Sequence, residues 1–189
     1  LSVAIDKFVY ITLNQRFDHT LRVSYSRTEE VEHTAQLQHP LVRAVLAKRG
    51  VEGGLEITSI ADIPSRGTGL GSSSAFTVGL LHAVYAYQGI YRPSTDLAAE
   101  ACEVEIDILR EPIGKQDQFG AALGGLNLIR FNPDDSVDIE PVFPPAGVID
   151  TVERSLLMVY TGITRSASAL LQQQSQEMAQ DHRKLRTMQ

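Results

Sequence analysis

An α+β fold is predicted, on three observations. Short runs rich in β-branched and aromatic residues are bounded by turn residues. Several other stretches repeat apolar residues at helical spacing, and a loop of glycines and serines, Pro64 to Ala75, stands between a strand-like run and a helix-like run. With 189 residues and 43% hydrophobic content, the chain can bury one substantial core, as one domain or one domain plus part of another.

The elements follow in order. Phe8 to Leu13 and Leu21 to Ser26 read as two strands around the polar stretch Asn14 to Thr20, a hairpin signal that predicts an antiparallel pair. A charged connector, Arg27 to Gln38, leads to a short amphipathic helix over His39 to Arg49, with Leu41, Val42, Val45 and Leu46 on one face and Gly50 to end it. Leu55 to Ile63 reads as a strand stopped by Pro64. Ser72 to Gln88 places Phe76, Leu80, Leu81, Val84 and Tyr87 on one stripe and predicts a buried helix.

Pro93 and Ser94 open a further helix to about Leu109, in which Ala98, Ala99 and Ala101 permit close packing. Asp117 is placed to cap a short helix ending at Gly124 and Gly125, and Leu126 to Phe131 pairs with Val137 to Val142 around Asn132 to Ser136. Ser155 to Tyr160 predicts a last strand, and Ser166 to Arg186 a long polar helix that needs a partner surface. The expected division is therefore 1–154 as a first domain and 155–189 as the start of a second.

Composition excludes several classes of function. A net charge of −6 argues against wholesale binding of nucleic acid, which demands a concentrated basic surface. Cys102 is the lone cysteine and has neither a disulfide partner nor a metal-type spacing. No run of about 18 apolar residues and no signal-peptide pattern is present, so a soluble, cytoplasmic protein with no membrane or nucleic-acid partner is expected. The chain opens at Leu1 in a strand-like run and is read as a piece of a longer protein. His19, His33, His39, His82 and His182 show no paired spacing and are given no metal or catalytic role.

The loop Pro64-Ser65-Arg66-Gly67-Thr68-Gly69-Leu70-Gly71-Ser72-Ser73-Ser74-Ala75 carries the chemistry. At a helix start, unpaired N–H groups and the helix dipole favour an anion, glycines let the backbone approach it, and serine hydroxyls add hydrogen bonds or a hard-cation ligand. A Walker loop is excluded, because no lysine lies between Lys48 and Lys115. The dinucleotide fingerprint is excluded too, because Gly67, Gly69 and Gly71 give G-x-G-x-G. A bland alternative is a glycine turn with a serine cap.

This loop resembles the second signature of the GHMP kinases (galactokinase, homoserine kinase, mevalonate kinase, phosphomevalonate kinase): a proline, a short spacer, then Gly-Leu-Gly-Ser-Ser. Pro64, Gly69, Leu70, Gly71, Ser72 and Ser73 match it. The resemblance implies the GHMP kinase fold, with a ribosomal protein S5 domain 2-like N-terminal domain that contains a left-handed βαβ unit. It also implies that Pro64, Gly67, Gly69, Leu70, Gly71, Ser72, Ser73 and Ser74 hold the ATP phosphates and that Ser73 contributes to Mg²⁺.

Taken alone, Glu105 and Asp117 are ordinary helix acids, the first solvated and the second a cap. However, Gly114 to Phe119 looks like the Gly-x-x-Asp-Gln segment of galactokinase-like members. The resemblance then implies Asp117 as the base acting on the sugar hydroxyl and Glu105 as a Mg²⁺ ligand, with Glu103 the weaker choice. Lys115 could lower the Asp117 pKa, touch phosphate or face solvent.

Four stretches, Ala4 to Tyr10, Arg22 to Ser26, Glu111 to Gln118 and Tyr160 to Arg165, are similar to the D-glycero-D-manno-heptose 7-phosphate kinases within that family. The similarity implies ATP-dependent phosphorylation of the anomeric hydroxyl of a sugar phosphate, toward nucleotide-activated heptose for lipopolysaccharide, capsule or related glycans. Arg165 is the leading clamp for the substrate phosphate, with Thr164, Lys115 and Gln118 as further substrate contacts and Arg22 and Arg27 as weaker ones. The family's first signature would precede Leu1 and its third would follow Gln189. Open alternatives are a fucose- or galactose-type kinase and a non-catalytic nucleotide-binding relative. A homodimer is compatible with all of these readings.

Overall fold

The computed structural model describes residues 1–63, 69–157 and 159. Two sheets and a layer of helices make up this part of the chain. The larger sheet has the order β2-β5-β3-β4, from β2 (Val9–Gln15), β3 (Leu21–Ser24), β4 (Thr28–Val31) and β5 (Leu55–Ala61). The smaller has the order β1-β6-β7, from β1 (Ser2–Val3), β6 (Leu126–Phe131) and β7 (Val137–Pro141). The helices are α1 (Pro40–Lys48), α2 (Ser72–Tyr87), α3 (Ser94–Cys102), α4 (Gln116–Leu123) and α5 (Val148–Ser155), and a π-helical segment, Glu103–Ile108, continues α3. The mixed helix and sheet content agrees with the α+β expectation.

The alternation of the strands explains which face is covered. Ile11 and Leu13 on β2, Leu21 and Val23 on β3, and Leu55 and Ile57 on β5 turn to one side, where α1 and α2 supply Val42, Val45, Leu46, Leu80, Leu81 and Val84. Leu80, Leu81 and Val84 are fully buried, each stabilising the fold by roughly 1.5–3 kcal/mol relative to exposure. A second, smaller cluster of Ala98, Cys102 and Phe119 packs under Ile129, Val137 and Ile139 and ties α3 and α4 to the smaller sheet.

The expected pairing of the first two strands is corrected. β2 and β3 do not pair with each other: β5 lies between them, antiparallel to β2 and parallel to β3, with Leu55 opposite both Gln15 and Leu21. The polar stretch from Asn14 to Thr20 therefore crosses two strand spacings, about 10 Å, instead of turning a hairpin. The glycine pair ahead of β5 makes room for it, because a Cβ at Gly53 would lie 2.2 Å from the His19 carbonyl oxygen. Gly54 N–H donates to the same oxygen at 2.9 Å.

Three further differences are local. The charged connector contains β4, which pairs with β3 through Val23↔Glu29 and Leu21↔Val31. Asp117 is the second residue of α4 and not its cap; Lys115 occupies the N-cap without a side-chain hydrogen bond. The strand expected from Ser155 is not seen at its start, because Ser155 closes α5, and Leu156 and Leu157 have no regular secondary structure. The rest of that strand, apart from Val159, and the helix expected over 166–186 lie outside the described residues.

Candidate active site

The first turn of α2 is the centre of the site. Gly71 sits in the left-handed region at φ 68° and occupies the N-cap, where it has no side chain of its own to offer the first amides of the helix. Gly69 is also left-handed, at φ 69°. Ala75 N–H donates to the Gly71 carbonyl at 2.9 Å and starts the helical ladder immediately after the glycine. A helix N-terminus of this kind favours an anionic acceptor through its first-turn N–H groups and its dipole. Leu70 is exposed, whereas Pro64 and Gly67 lie outside the described residues.

Glu105 closes the site from below. Its residue is 1% exposed, and three hydroxyls from α2 reach its carboxylate: Ser74 Oγ at 2.8 Å, Thr77 Oγ1 at 2.9 Å and Ser73 Oγ at 3.2 Å. Gln118 Nε2, from α4, is the fourth donor. Ser73, Ser74 and Thr77 fall on one side of α2 by helical spacing. Glu105 lies in the π-helical segment, where a widened turn re-aims side chains and Leu109 N–H reaches back to Val104 O at 3.0 Å. Four donors meet the hydrogen-bonding needs of this buried carboxyl group.

Asp117 approaches from the other side. A Cβ built on Gly71 would lie 3.2 Å from Asp117 Cγ and 3.4 Å from its Oδ2, so the carboxylate rests directly against the start of α2. Its rim remains open to solvent, and the protein around it raises its pKa above the usual carboxylate value by desolvation. Lys115 does not lower it: its ammonium pairs with Asp135 Oδ1 on the β6–β7 turn at 2.7 Å. A cleft of about 350 Å³ lies beside that pair, lined by Gly114, Lys115, Gln116, Phe131, Asn132, Asp135 and Ser136.

The remaining candidates are placed as follows. Glu103 forms an ion pair with Lys48 at 2.7 Å, away from the serines. Arg22 pairs with Glu56 at 3.5 Å, and Arg27 is exposed. Gln118, expected to face substrate, is completely buried and turned toward Glu105. Thr164 and Arg165 lie outside the described residues. Thr77 was not foreseen; the only sequence signal for it is its position four residues after Ser73, on the serine side of the helix.

The donor set suits a small hard cation. Ser73 Oγ and Glu105 Oε1 stand 3.2 Å apart, close to the edge of about 3 Å in an octahedron with oxygen ligands at 2.0–2.1 Å. Among the described residues no group of three or more His, Cys, Asp and Glu side chains gathers for a metal. One carboxylate and a hydroxyl suit a cation whose other ligands are phosphate oxygens and water, as is usual for Mg²⁺.

A glycine-capped helix start with one carboxylate beneath it and another at its side, in an α+β fold, is an arrangement that suits an anion and a hard cation. Residues 36–125 match the family model described as "GHMP kinases N terminal domain". Over 107 residues the chain is 32% identical to a D-glycero-alpha-D-manno-heptose 7-phosphate kinase of Campylobacter jejuni, with 57% of this chain and 31% of that protein covered. It is 30% identical over 120 residues to an L-fucokinase/L-fucose-1-P guanylyltransferase of Bacteroides fragilis, covering 62% of this chain and 12% of that protein. The crystal structure of a D-glycero-D-manno-heptose 1-phosphate kinase from Bacteroides thetaiotaomicron superposes with a TM-score of 0.69 at 25% identity, over 75% of this chain and 50% of that one. The chain thus spans less than a third of the length of these two curated relatives. Among the described residues no helix is long and apolar enough to cross a membrane.

Proposed function

We propose that this chain supplies the phosphate-binding and acid-bearing part of an ATP-dependent sugar kinase. Its acceptor is the anomeric hydroxyl of D-glycero-D-manno-heptose 7-phosphate, and its products are the 1,7-bisphosphate and ADP. The observation that carries this reading is the convergence of two carboxylates of different environment on one helix start. Glu105 is buried and held by four donors, whereas Asp117 is open to solvent and rests against Gly71. Environments that set two acids apart in this way are a mark of divided roles.

The phosphates of ATP lie at the N-terminus of α2, and the sugar hydroxyl lies near Asp117. The hydroxyl oxygen forms a bond to the γ-phosphorus, the bond from that phosphorus to the ADP oxygen breaks, and the hydroxyl proton passes to the Asp117 carboxylate. Desolvation raises the Asp117 pKa above the usual carboxylate value and so makes it a stronger proton acceptor than an ordinary aspartate. Ser73 and Glu105 would hold Mg²⁺, which supplies charge neutralisation between the phosphates when bound. The rest of the rate enhancement comes from holding the two reactants in line. Arg165 and Thr164 are proposed to clamp the substrate phosphate, and residues from 155 onward to begin a second domain.

Heptose is favoured because the name of a curated relative and that of a solved structure both specify it, although they place its phosphate at different carbons. The fucokinase similarity supports a second reading, a kinase for a free six-carbon sugar. A sugar panel offered to the full-length protein with MgATP separates them: turnover of heptose 7-phosphate but not of fucose or galactose is expected, and the reverse pattern would replace the substrate. No phosphate transfer to any sugar, with nucleotide still bound, would favour a non-catalytic relative.

A further inference from the structure

We propose that Gln118 is a positioning residue for Glu105, fixing the metal-binding carboxylate from the helix that carries Asp117, and is not a contact to the sugar. The inference rests on the reading of Glu105 given above and deepens it.

Gln118 is 0% exposed, so a substrate in the open part of the site does not reach it without rearrangement. Its amide nitrogen donates to Glu105 Oε2, the oxygen that also accepts Ser74 Oγ at 2.8 Å. Its amide oxygen is buried without a hydrogen-bond partner. The orientation of the amide follows from the acid, because a carboxylate needs donors, and the contact to Glu105 is kept although the other end of the amide goes unsatisfied.

The consequence for the site is geometric. Thr77 and Ser73 reach Oε1, while Ser74 and Gln118 reach Oε2, so the carboxylate plane is pinned from both ends. Three of the four donors belong to α2. Gln118 alone belongs to α4, next to Asp117, and so couples the base-bearing helix to the carboxylate that faces Ser73. Loss of an outer partner of this kind typically lowers metal affinity about 10- to 100-fold.

The test uses the full-length protein and Mn²⁺ as the probe, titrated by electron paramagnetic resonance in the presence of a non-hydrolysable ATP analogue. Gln118→Met, of similar shape but without the donor, is expected to weaken Mn²⁺ binding about 10-fold or more while leaving KM for the sugar phosphate within about twofold. Gln118→Asn, which keeps the amide but withdraws it by one methylene, is expected to shift binding the same way by less, and it carries the test if the Met variant does not fold. In a Glu105→Gln background, Gln118→Met should cause no further loss, because the residue acts through that carboxylate. Unchanged Mn²⁺ binding in folded Gln118 variants, or a raised sugar KM with normal Mn²⁺ binding, would overturn the proposal. If Glu105→Gln itself left Mn²⁺ binding unaltered, the metal role of Glu105 would fail, and that result is distinct from either of the others.

Discussion

Gly71 and Asp117 lie so close that a methyl group on the glycine would sit 3.2 Å from the carboxylate carbon. The contact joins the start of α2 to the second residue of α4, so the position proposed for the phosphates and the position proposed for the base are set by one packing relationship. It also gives Gly71 two reasons to be glycine: a backbone at φ 68° and the carboxylate against it.

Replacing Gly71 by Ala therefore acts twice. The left-handed backbone costs about 1–2 kcal/mol, which urea unfolding would read directly. Displacing the Asp117 carboxylate by a few tenths of an ångström is expected to lower kcat/KM by up to about 100-fold, the cost of a misplacement of about 1 Å, in steady-state assays.

Thr77→Val removes one of the donors to buried Glu105 while keeping the shape of the side chain. A loss of about 1–3 kcal/mol is expected from denaturant unfolding, larger than for an exposed threonine on the same helix. An unchanged midpoint would mean that Glu105 does not depend on this hydroxyl.

Lys115→Met tests which role this lysine has. Its partner is Asp135, itself largely exposed, and such pairs contribute about 0–1 kcal/mol. The variant is expected to keep its stability within that range and its KM for sugar phosphate within about twofold. A large rise in KM would return Lys115 to the substrate site.

The raised pKa of Asp117 has a consequence for stability. For an acid whose folded value lies above its unfolded one, the ionised form is disfavoured by folding, and the penalty is present above the folded pKa and disappears as pH falls through it toward the unfolded value. Asp117→Asn is thus expected to melt no lower than wild type at neutral pH and higher if the penalty is large, with the difference shrinking on acidification. Calorimetry at neutral and acid pH reads both. A variant that melts lower at neutral pH would show that the ionised carboxylate stabilises the fold.

Much of the site is legible along the chain because its signals are local. A strand, a proline, glycines, three serines and an apolar stripe occur in succession, and α2 begins at Ser72 as expected. Asp117 and Glu105 are singled out by a likeness to known kinases, and their approach to the start of α2 is visible only in three dimensions. The part of Thr77, and the inward orientation of Gln118, which the sequence places toward substrate, are hidden for a related reason. A buried polar side chain looks like any helix polar residue until its partner, 28 or 13 positions away, is known. The order of the larger sheet was hidden because β3 and β5 pair across thirty residues of intervening chain, whereas the polar stretch after β2 is a nearby and misleading turn signal. β4 was passed over because Glu29 and Glu30 mask an alternation whose remaining members are Thr28 and Val31.

The central claim is that Asp117 and the α2 start form one phosphoryl-transfer site, and transfer from labelled ATP to heptose 7-phosphate tests it most directly. With full-length wild type and Asp117→Asn compared side by side, alongside affinity for a nucleotide analogue, the account predicts that the variant binds the analogue within about twofold of wild type while transfer falls by about 100- to 10,000-fold. Equal transfer by the two proteins would contradict it.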